Sequence, residues 1–431
     1  MVSLSCLYNN NEKTEGTIKL AQFMGKGVEG DTVQTLLSHL NNDVNNQISK
    51  ANNFIDISSL TVRTKEKLRT CTTVCGELSA EATELVEPSG VILESEVQQL
   101  KKLVRKLVCC DNNMMSVGGI CIMGSSPPGC PDNLYASLFR DVVHNNHSSN
   151  IIQGNEKYRI PLCCLVDSVV GLKPLLHEMS TNKNNGGTTQ TRNMLKVNIF
   201  ELCKLASTTI SDATAEESGQ VLLGDIKNAL NGFYKKFPDA RRALDYVAIT
   251  NGKFPAHFAC IDDDSVEYEN DLLYEISFPD LLDCIKEVNP NEDTTTNSGT
   301  IYPIGSGDSV AAGTLAAWQW SVGQPCAWLN DKVRIGLSSY SQNNEMKKDP
   351  TVIGSFVFGL ACGYVPSSHL YINIHHMLFT VKLYNSYTHR CFPFLYYHNY
   401  RSASCVEEQN SFFDIDKTLK LFESMHHRRI I

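Results

Sequence analysis

Residues 303–313, PIGSGDSVAAG, place a glycine-rich turn directly before a helix of small and apolar residues. Gly305 and Gly307 allow the backbone to bend tightly and to approach a ligand without a Cβ in the way. The free N–H groups at the start of the helix, together with its dipole, favour an anion in that turn. Asp308 lies in the same turn. It fits either a base that takes a hydroxyl proton while phosphate charge builds on the N–H groups, or an ordinary N-cap.

The composition is that of a globular protein with enough residues for a large core. The chain has 431 residues, 42% of them hydrophobic and 20% charged. Its formal net charge of −9 argues against a nucleic-acid binder, which would present a basic face. The 16 cysteines include no Cys-x-x-Cys pair and lie mostly in apolar stretches, so we expect reduced core residues and a cytoplasmic location. No apolar run is long enough to span a membrane, and no targeting pattern follows Met1.

Two further stretches carry polar groups at places where a ligand could bind. Residues 124–131, GSSPPGCP, follow a predicted strand at 119–123, and ligands of α/β proteins bind at such strand ends, although the same residues also suit a plain turn. In LKVNIFE, residues 195–201, Asn198 and Glu201 share one face of a helix start. That pair could orient water around a magnesium ion on nucleotide phosphates, and it also suits a helix cap.

Residues 69–87 predict two strands around a turn, with β-branched residues in the first strand. Arg69 begins the first strand, and the second contains Thr-Glu-x-x-Glu-Pro at 83–88. A guanidinium group suits phosphate oxygens, so Arg69 is either a phosphate ligand or a solvent-facing strand residue.

These motifs together resemble those of the ribokinase-like (PfkB) carbohydrate kinases, in particular the phosphosugar branch with 1-phosphofructokinases and tagatose-6-phosphate kinases. Gly-Ser-Gly-Asp at 305–308 stands where that family has Gly-Ala-Gly-Asp. Gly-Ser-Ser-Pro-Pro-Gly at 124–129 is similar to its Gly-Ser-Leu-Pro-Pro-Gly loop, and Lys-Val-Asn-x-x-Glu at 196–201 to its Lys-Pro-Asn-x-x-Glu. The turn with Gly252 resembles one that lies under nucleotide phosphates, although Pro255 replaces a second glycine.

The resemblance implies a three-layer αβα fold with a mostly parallel central sheet and a small β lid at 69–87. It implies ATP-dependent transfer of the γ-phosphoryl group to a hydroxyl of a sugar or sugar phosphate, with Mg as the metal. The implied roles are as follows: Asp308 as the base, with the N–H groups of Gly305, Ser306 and Gly307 stabilising the moving charge; Asn198 and Glu201 for magnesium, through water; Lys196, Thr250 and Gly252 for the nucleotide; Arg69, Gly124, Ser125 and Gly129 for the acceptor.

Two regions depart from the family pattern. Residues 364–401 hold five of the 12 His and seven of the 16 Tyr but no Asp, Glu, Gly or Ala, which suggests a translated intron. The kinase domain is therefore expected at 1–363 and 402–431, with 364–401 as an atypical insertion. Residues 1–7 are expected to lie inside a helix that follows the family's first strand and its main sugar contacts, both of which would be missing.

A second class of function remains open on these residues. A nucleotide-binding pseudokinase or regulatory protein of the same fold would keep the anion turn and lack affinity for a sugar. A nucleoside kinase is disfavoured by the Thr-Glu-x-x-Glu-Pro and Pro-Pro-Gly motifs. The expected ligands are ATP and a sugar or sugar phosphate, with neither nucleic acid nor membrane as a partner, and a homodimer could form through the lid.

Overall fold

The structure is a computed structural model. It describes residues 2–10, 13–35, 38, 55–56, 58–75, 82–109, 115–146, 150–153, 156–159, 161–184, 190–209, 223–252, 254–261, 271–277, 306–322, 338, 350–368 and 426–429.

The helices are residues 28–35 (α1), Glu94–Val108 (α2), Leu134–Asn145 (α3), Leu172–Asn184 (α4), Ile199–Ala206 (α5), Leu223–Lys236 (α6), Ala240–Ala243 (α7), Ser306–Ser321 (α8) and Pro350–Ser368 (α9). The strands are Val2–Asn10 (β1), Lys13–Lys26 (β2), Ile55–Asp56 (β3), Thr61–Lys67 (β4), Cys71–Cys75 (β5), Ala82–Val86 (β6), Met115–Met123 (β7), Asn150–Gln153 (β8), Glu156–Arg159 (β9), Leu162–Asp167 (β10), Thr191–Asn198 (β11), Tyr246–Asn251 (β12), Phe254–Cys260 (β13), Leu272–Ser277 (β14) and His426–Arg429 (β15).

One large sheet runs through the molecule in the order β15-β14-β13-β12-β11-β10-β7-β1-β2-β3, with β4 beside β2. Its central strands β7, β10, β11 and β12 are parallel, and helices connect them in sequence. Strands β13 to β15 continue the sheet in antiparallel pairs. The predicted α/β class with a parallel central sheet is confirmed.

Two separate apolar cores lie on opposite faces of this sheet. On β10, Leu162, Cys164 and Val166 belong to the core under α2 to α7, and Cys163 and Leu165 belong to the core under α8 and α9. All five side chains are buried, which explains why this strand is a continuous apolar run. The alternation gives the predicted three layers, with helices on both sides of the sheet.

Helix α8 is held close to its neighbours by glycines. A Cβ on Gly313 would lie 2.7 Å from the Sγ of Cys362 on α9, and a Cβ on Gly119 of β7 would lie 2.5 Å from the Nε2 of Gln319 on α8. A larger residue at Gly313 would push α8 away from α9, and one at Gly119 would displace the end of the Gln319 side chain. Gly313 therefore allows α8 to pack closely on α9, the neighbouring helix on the same face of the sheet.

The N-terminal residues differ from the prediction. Residues 1–7 were expected inside a helix, but β1 begins at Val2 and pairs antiparallel with both β2 and β7. The helix prediction was wrong because Val2, Leu4 and Cys6 alternate with serines, which is a strand period. A strand at this place also satisfies the backbone groups along the facing edges of β2 and β7.

Strands β5 and β6 form a small antiparallel sheet of their own inside residues 69–87. Its base is closed by Glu87, whose N–H donates to the Thr70 carbonyl at 2.9 Å and whose carboxylate accepts from the Thr70 N–H at 3.0 Å. Of the atypical segment 364–401, residues 364–368 form the end of α9, and the remainder lies outside the described residues. Within the part of the chain described here, no helix combines the length and apolarity needed to cross a bilayer.

Candidate active site

Lys196 lies near the end of β11, on the face of the sheet that α8 covers. Successive strand residues point to opposite faces, so Lys196 shares the face of the core residue Met194. In the same way Asp167, the last residue of β10, shares the face of Leu165. Because β10 and β11 are parallel neighbours, these two polar side chains meet at the same edge.

The two side chains form a buried ion pair. The Lys196 Nζ donates to the Asp167 Oδ2 at 2.9 Å, and the two side chains are 5% and 16% exposed. Burying an ammonium group without a partner would cost several kcal/mol, so Asp167 is what permits a lysine at this depth.

The N-terminus of α8 meets this pair. A Cβ placed on Gly307 would lie 3.6 Å from the Lys196 Nζ, so the first turn of the helix lies directly against the ammonium group. Asp308 follows in that turn and is 9% exposed. The backbone of Ser306 belongs to the same turn, whereas Gly305 lies outside the described residues.

Electrostatics tie four residues into one cluster. Burial opposes the charge on Lys196, but the charge and hydrogen bond of Asp167, followed by the charges of Asp308 and Glu201, raise the pKa of Lys196 above its usual value. The ammonium group therefore stays charged at neutral pH. Three carboxylates around one ammonium leave a net negative charge, which a cation bound nearby would balance.

Asn198 and Glu201 form a reciprocal cap at the start of α5. The Glu201 N–H donates to the Asn198 Oδ1 at 2.8 Å, and the Asn198 N–H donates to the Glu201 Oε2 at 2.9 Å. The capping alternative is therefore present, and it holds both oxygen-bearing side chains next to Lys196. Among the described residues, no group of three or more His, Cys, Asp or Glu is arranged to hold a metal by itself.

The end of β12 adds the remaining nucleotide candidates. Thr250 lies opposite Asn198 in the parallel register, and its Oγ1 donates to the Val197 carbonyl at 3.5 Å. Gly252 follows with a φ of +58° and is exposed. A Cβ there would find no atom of the described residues within 4 Å, so these residues leave the space above this turn open.

Two of the four acceptor candidates, Arg69 and Ser125, line a separate cavity of about 420 Å³. Arg69 and Lys67 line it from the end of β4, Ser125 from the loop after β7, and Phe23 and Gly25 from β2. The sequence analysis predicted that Arg69 and this loop would face the same ligand, and the structure places Arg69 and Ser125 on the same cavity.

Gly124 and Gly129, the other two acceptor candidates, flank residues 125–128, which line the cavity. Gly129 has a φ of +86°, and it approaches residue 92 so closely that a Cβ would lie 2.8 Å from the Val91 Cγ1 and still closer to the Ile92 carbonyl. Gly124 has a φ of +72°, and its N–H donates to the Asp167 carbonyl at 3.0 Å. The loop of the cavity is thus bonded to the residue that holds Lys196.

The predicted residues therefore fall into two groups. Lys196, Glu201, Gly307 and Asp308 lie in one cluster, and Arg69 and Ser125 lie on the cavity. Among the described residues that line the cavity, neither Asp308 nor Lys196 appears.

Asp167 is a site residue that was not predicted from the sequence. A carboxylate at the end of an apolar strand is a common turn signal, and only the pairing of β10 with β11 brings it to Lys196. The available signal was the position of that carboxylate at the carboxyl end of a strand with the pattern of a central parallel strand.

No protein-family model matches the chain, and no curated protein sequence gives a significant match. Solved structures do show similarity. The tetrameric inhibited form of phosphofructokinase-2 from Escherichia coli is 17% identical, with a TM-score of 0.45, over 80% of this chain and 76% of that one. A possible 1-phosphofructokinase from Thermotoga maritima is 11% identical, with a TM-score of 0.44, over 98% and 91%. Ribokinase from Giardia lamblia is 11% identical, with a TM-score of 0.42, over 84% and 86%.

By name these are sugar kinases, the kind of protein that the sequence motifs resemble. Similarity of this size carries no conclusion about substrate or activity. The function proposed below therefore rests on the residues of this chain.

Proposed function

We propose that this protein is an ATP-dependent kinase that transfers the γ-phosphoryl group to a hydroxyl of a sugar or sugar phosphate. The observation that carries the proposal is the position of the Lys196 ammonium group, which is buried beside Asp167 and lies 3.6 Å from where a Cβ of Gly307 would be. A charged ammonium group against the start of a helix is an anion site. A carboxylate in that same turn, Asp308, supplies the base that phosphoryl transfer to an alcohol needs.

The nucleotide phosphates would lie at the first turn of α8. The N–H groups of Ser306 and Gly307, in the first turn of the helix, have no partner inside it and are available to phosphate oxygens. Gly252 leaves open space at the end of β12, where the nucleotide could continue past Thr250. Because Lys196 keeps its charge, it can bind a phosphate oxygen without giving up Asp167.

The residues present fit a magnesium ion that is held mainly through water and phosphate. Asn198 and Glu201 offer oxygen donors, the ligand type that Mg²⁺ prefers, and they are rigid because they cap α5. The net negative charge around Lys196 is a second point of fit. When bound, the ion would offset charge on the transferred phosphoryl group.

Asp308 would take the proton from the attacking hydroxyl, and the N–H groups of the first turn would stabilise the charge on the moving phosphoryl group. The acceptor would bind in the cavity with Arg69 and Lys67 on its own phosphate. Two cationic side chains and a volume of about 420 Å³ suit a hexose phosphate, as in a 1-phosphofructokinase or a tagatose-6-phosphate kinase. The reacting hydroxyl must extend from the cavity towards Asp308.

The direct test replaces Asp308 with Asn. We expect ATP-dependent phosphorylation of a sugar phosphate by the wild-type protein, and a fall in kcat of about 10³-fold in the variant, because general-base catalysis typically contributes 10²–10⁴. ATP binding, measured by calorimetry, should change little. Asp141→Asn is the matched control, since Asp141 is 8% exposed, accepts from the Arg105 Nε at 2.8 Å and lies on α3, away from Lys196. Activity retained in Asp308→Asn would refute the assignment of the base.

One observation favours a second candidate, a nucleotide-binding pseudokinase or regulatory protein. Asp308 is buried and is not among the described residues that line the cavity. ATP binding without turnover on any member of a panel of hexoses and hexose phosphates would support that candidate. ADP release that depends on one sugar phosphate would support the kinase.

A further inference from the structure

A buried tyrosine lies between the two parts of the proposed site. Tyr135 is the second residue of α3, is 3% exposed and lines the cavity together with Ser125. Its hydroxyl donates to the Gly124 carbonyl at 3.0 Å. The bond therefore ends on the first residue of the loop that forms one wall of the cavity.

The same glycine bonds to the neighbouring strand. The Gly124 N–H donates to the Asp167 carbonyl at 3.0 Å, and the Asp167 carboxylate accepts from Lys196 at 2.9 Å. A chain of three hydrogen bonds thus runs from Tyr135 through Gly124 and Asp167 to Lys196. It joins the wall of the cavity to the cluster at the start of α8.

The tyrosine ring is also enclosed by the turn that follows β10. Gly171 in that turn has a φ of +71°, and a Cβ on it would lie 2.8 Å from the Asp132 carbonyl and 3.5 Å from the Tyr135 Cδ2. The ring therefore has little room to move. Burial, with a smaller contribution from Cys130, raises the pKa of Tyr135, so its hydroxyl remains a proton donor at neutral pH.

We propose that Tyr135 is a positioning residue for the acceptor, which acts through its hydrogen bond to Gly124. By holding residues 124–129 against Asp167, it sets the distance between the acceptor in the cavity and the phosphoryl group beside Lys196. This role rests on the proposed kinase function. Tyr135 itself takes no part in the chemistry.

The test is Tyr135→Phe, which removes one oxygen and keeps the ring. We expect the KM for the sugar phosphate to rise about five- to tenfold, the change that the loss of one hydrogen bond produces, with the KM for ATP within twofold of wild type. The KM for the sugar phosphate should change because residues 124–129 bound the cavity. The KM for ATP should not, because Lys196 keeps its bond to Asp167.

Tyr246→Phe is the matched control. Tyr246 is also 3% exposed, but it begins β12, at the opposite end of the strands from the site. The loss of the buried Tyr246 hydroxyl should lower the free energy of unfolding without changing the KM for the sugar phosphate or for ATP. An unchanged acceptor KM in Tyr135→Phe, or the same change in both variants, would overturn the proposal. If Tyr135→Phe does not fold, Gly124→Ala displaces the same loop, because an alanine disfavours a φ of +72°, and it must give the same KM split.

Amide hydrogen exchange without substrate separates this proposal from the kinase function. We expect faster exchange within 124–129 in Tyr135→Phe and not in Tyr246→Phe. Unchanged exchange would show that the hydroxyl does not hold the loop. A third outcome is faster exchange in Tyr135→Phe together with a wild-type protein that phosphorylates no sugar. The hydroxyl would then hold the loop as described, but the kinase function, and with it the acceptor role, would be wrong.

Discussion

Two buried ion pairs in this protein, Lys196–Asp167 and Arg241–Asp271, differ in the charges around them. Arg241 donates from two nitrogens to the two oxygens of Asp271, at 3.0 and 2.8 Å, and lies over the ring of Tyr234. Lys196 donates to one oxygen of Asp167, and two further carboxylates are close enough to raise its pKa. The first pair is balanced in charge and geometry. The second has a surplus of negative charge beside a helix N-terminus, which is the arrangement of a binding site rather than of a structural contact.

Replacing each cation with Met should have different consequences for the two pairs. For Lys196→Met we expect kcat/KM for ATP to fall about 10²–10³-fold, because an electrostatic contact to the transferred group is typically worth that much. For Arg241→Met we expect the free energy of unfolding to fall by about 3–5 kcal/mol, since Asp271 is left buried without its cation, with the KM for ATP unchanged.

Steady-state kinetics and urea denaturation of both variants check this prediction. Lys196→Met will also lose stability, so the kinetics are measured at a temperature where both variants are folded. An equal loss of ATP affinity in the two variants would contradict the distinction between a binding pair and a structural pair.

Two glycines of α8, Gly307 and Gly313, differ in the space around them. A Cβ on Gly307 would lie at an ordinary contact distance from Lys196, whereas one on Gly313 would lie 2.7 Å from Cys362. Gly307→Ala should therefore fold with a stability within about 1 kcal/mol of wild type, yet bind ATP about tenfold more weakly, because the methyl group takes the space of a phosphate. Gly313→Ala should lose about 1–3 kcal/mol through overpacking and keep its ATP affinity. Calorimetric titration with ATP and thermal unfolding measure the two effects. Unchanged ATP affinity in Gly307→Ala would show that no nucleotide phosphate binds at this turn.

A third pair, His257–Glu275, shows the opposite balance to Lys196. The Nε2 of His257 lies 3.7 Å from the Glu275 Oε2, but burial outweighs that carboxylate and lowers the pKa of His257 to about 4. The unfolded chain then binds the proton more readily than the folded one between pH 6.5 and 4. Stability should therefore fall as the pH drops through this window, by up to about 1.4 kcal/mol per pH unit from this group.

Denaturation of the wild-type protein and of His257→Leu at pH 7 and pH 5 checks the sign. The variant should lose less stability than the wild type between the two pH values. The same pH dependence in both proteins would show that His257 is not the group that titrates.

Much of the architecture could be predicted from the sequence because its signals are local. The apolar run of β10 is typical of a buried parallel strand, and the motifs around Lys196 and Asp308 indicated candidate residues more than a hundred positions apart. The prediction failed at residues 1–7, where a helix was expected although the apolar residues alternate with serines, and where the strand pairs with both β2 and β7. It also gave no sign of β14, which pairs with β13 on one side and with β15 on the other.

By itself the sequence determined the types of residue at the site: a glycine turn before a helix, a lysine near the end of a strand, and a capping Asn and Glu. These depend on backbone conformation and on neighbours within a few positions. The tertiary structure alone decided that Asp167 would hold Lys196, that Tyr135 would bond to Gly124, and that Arg69 and Asp308 would lie in different parts of the site. Those relations depend on the order of the strands in the sheet and on close packing of helices and loops at glycines. No local sequence pattern encodes the strand order or the packing.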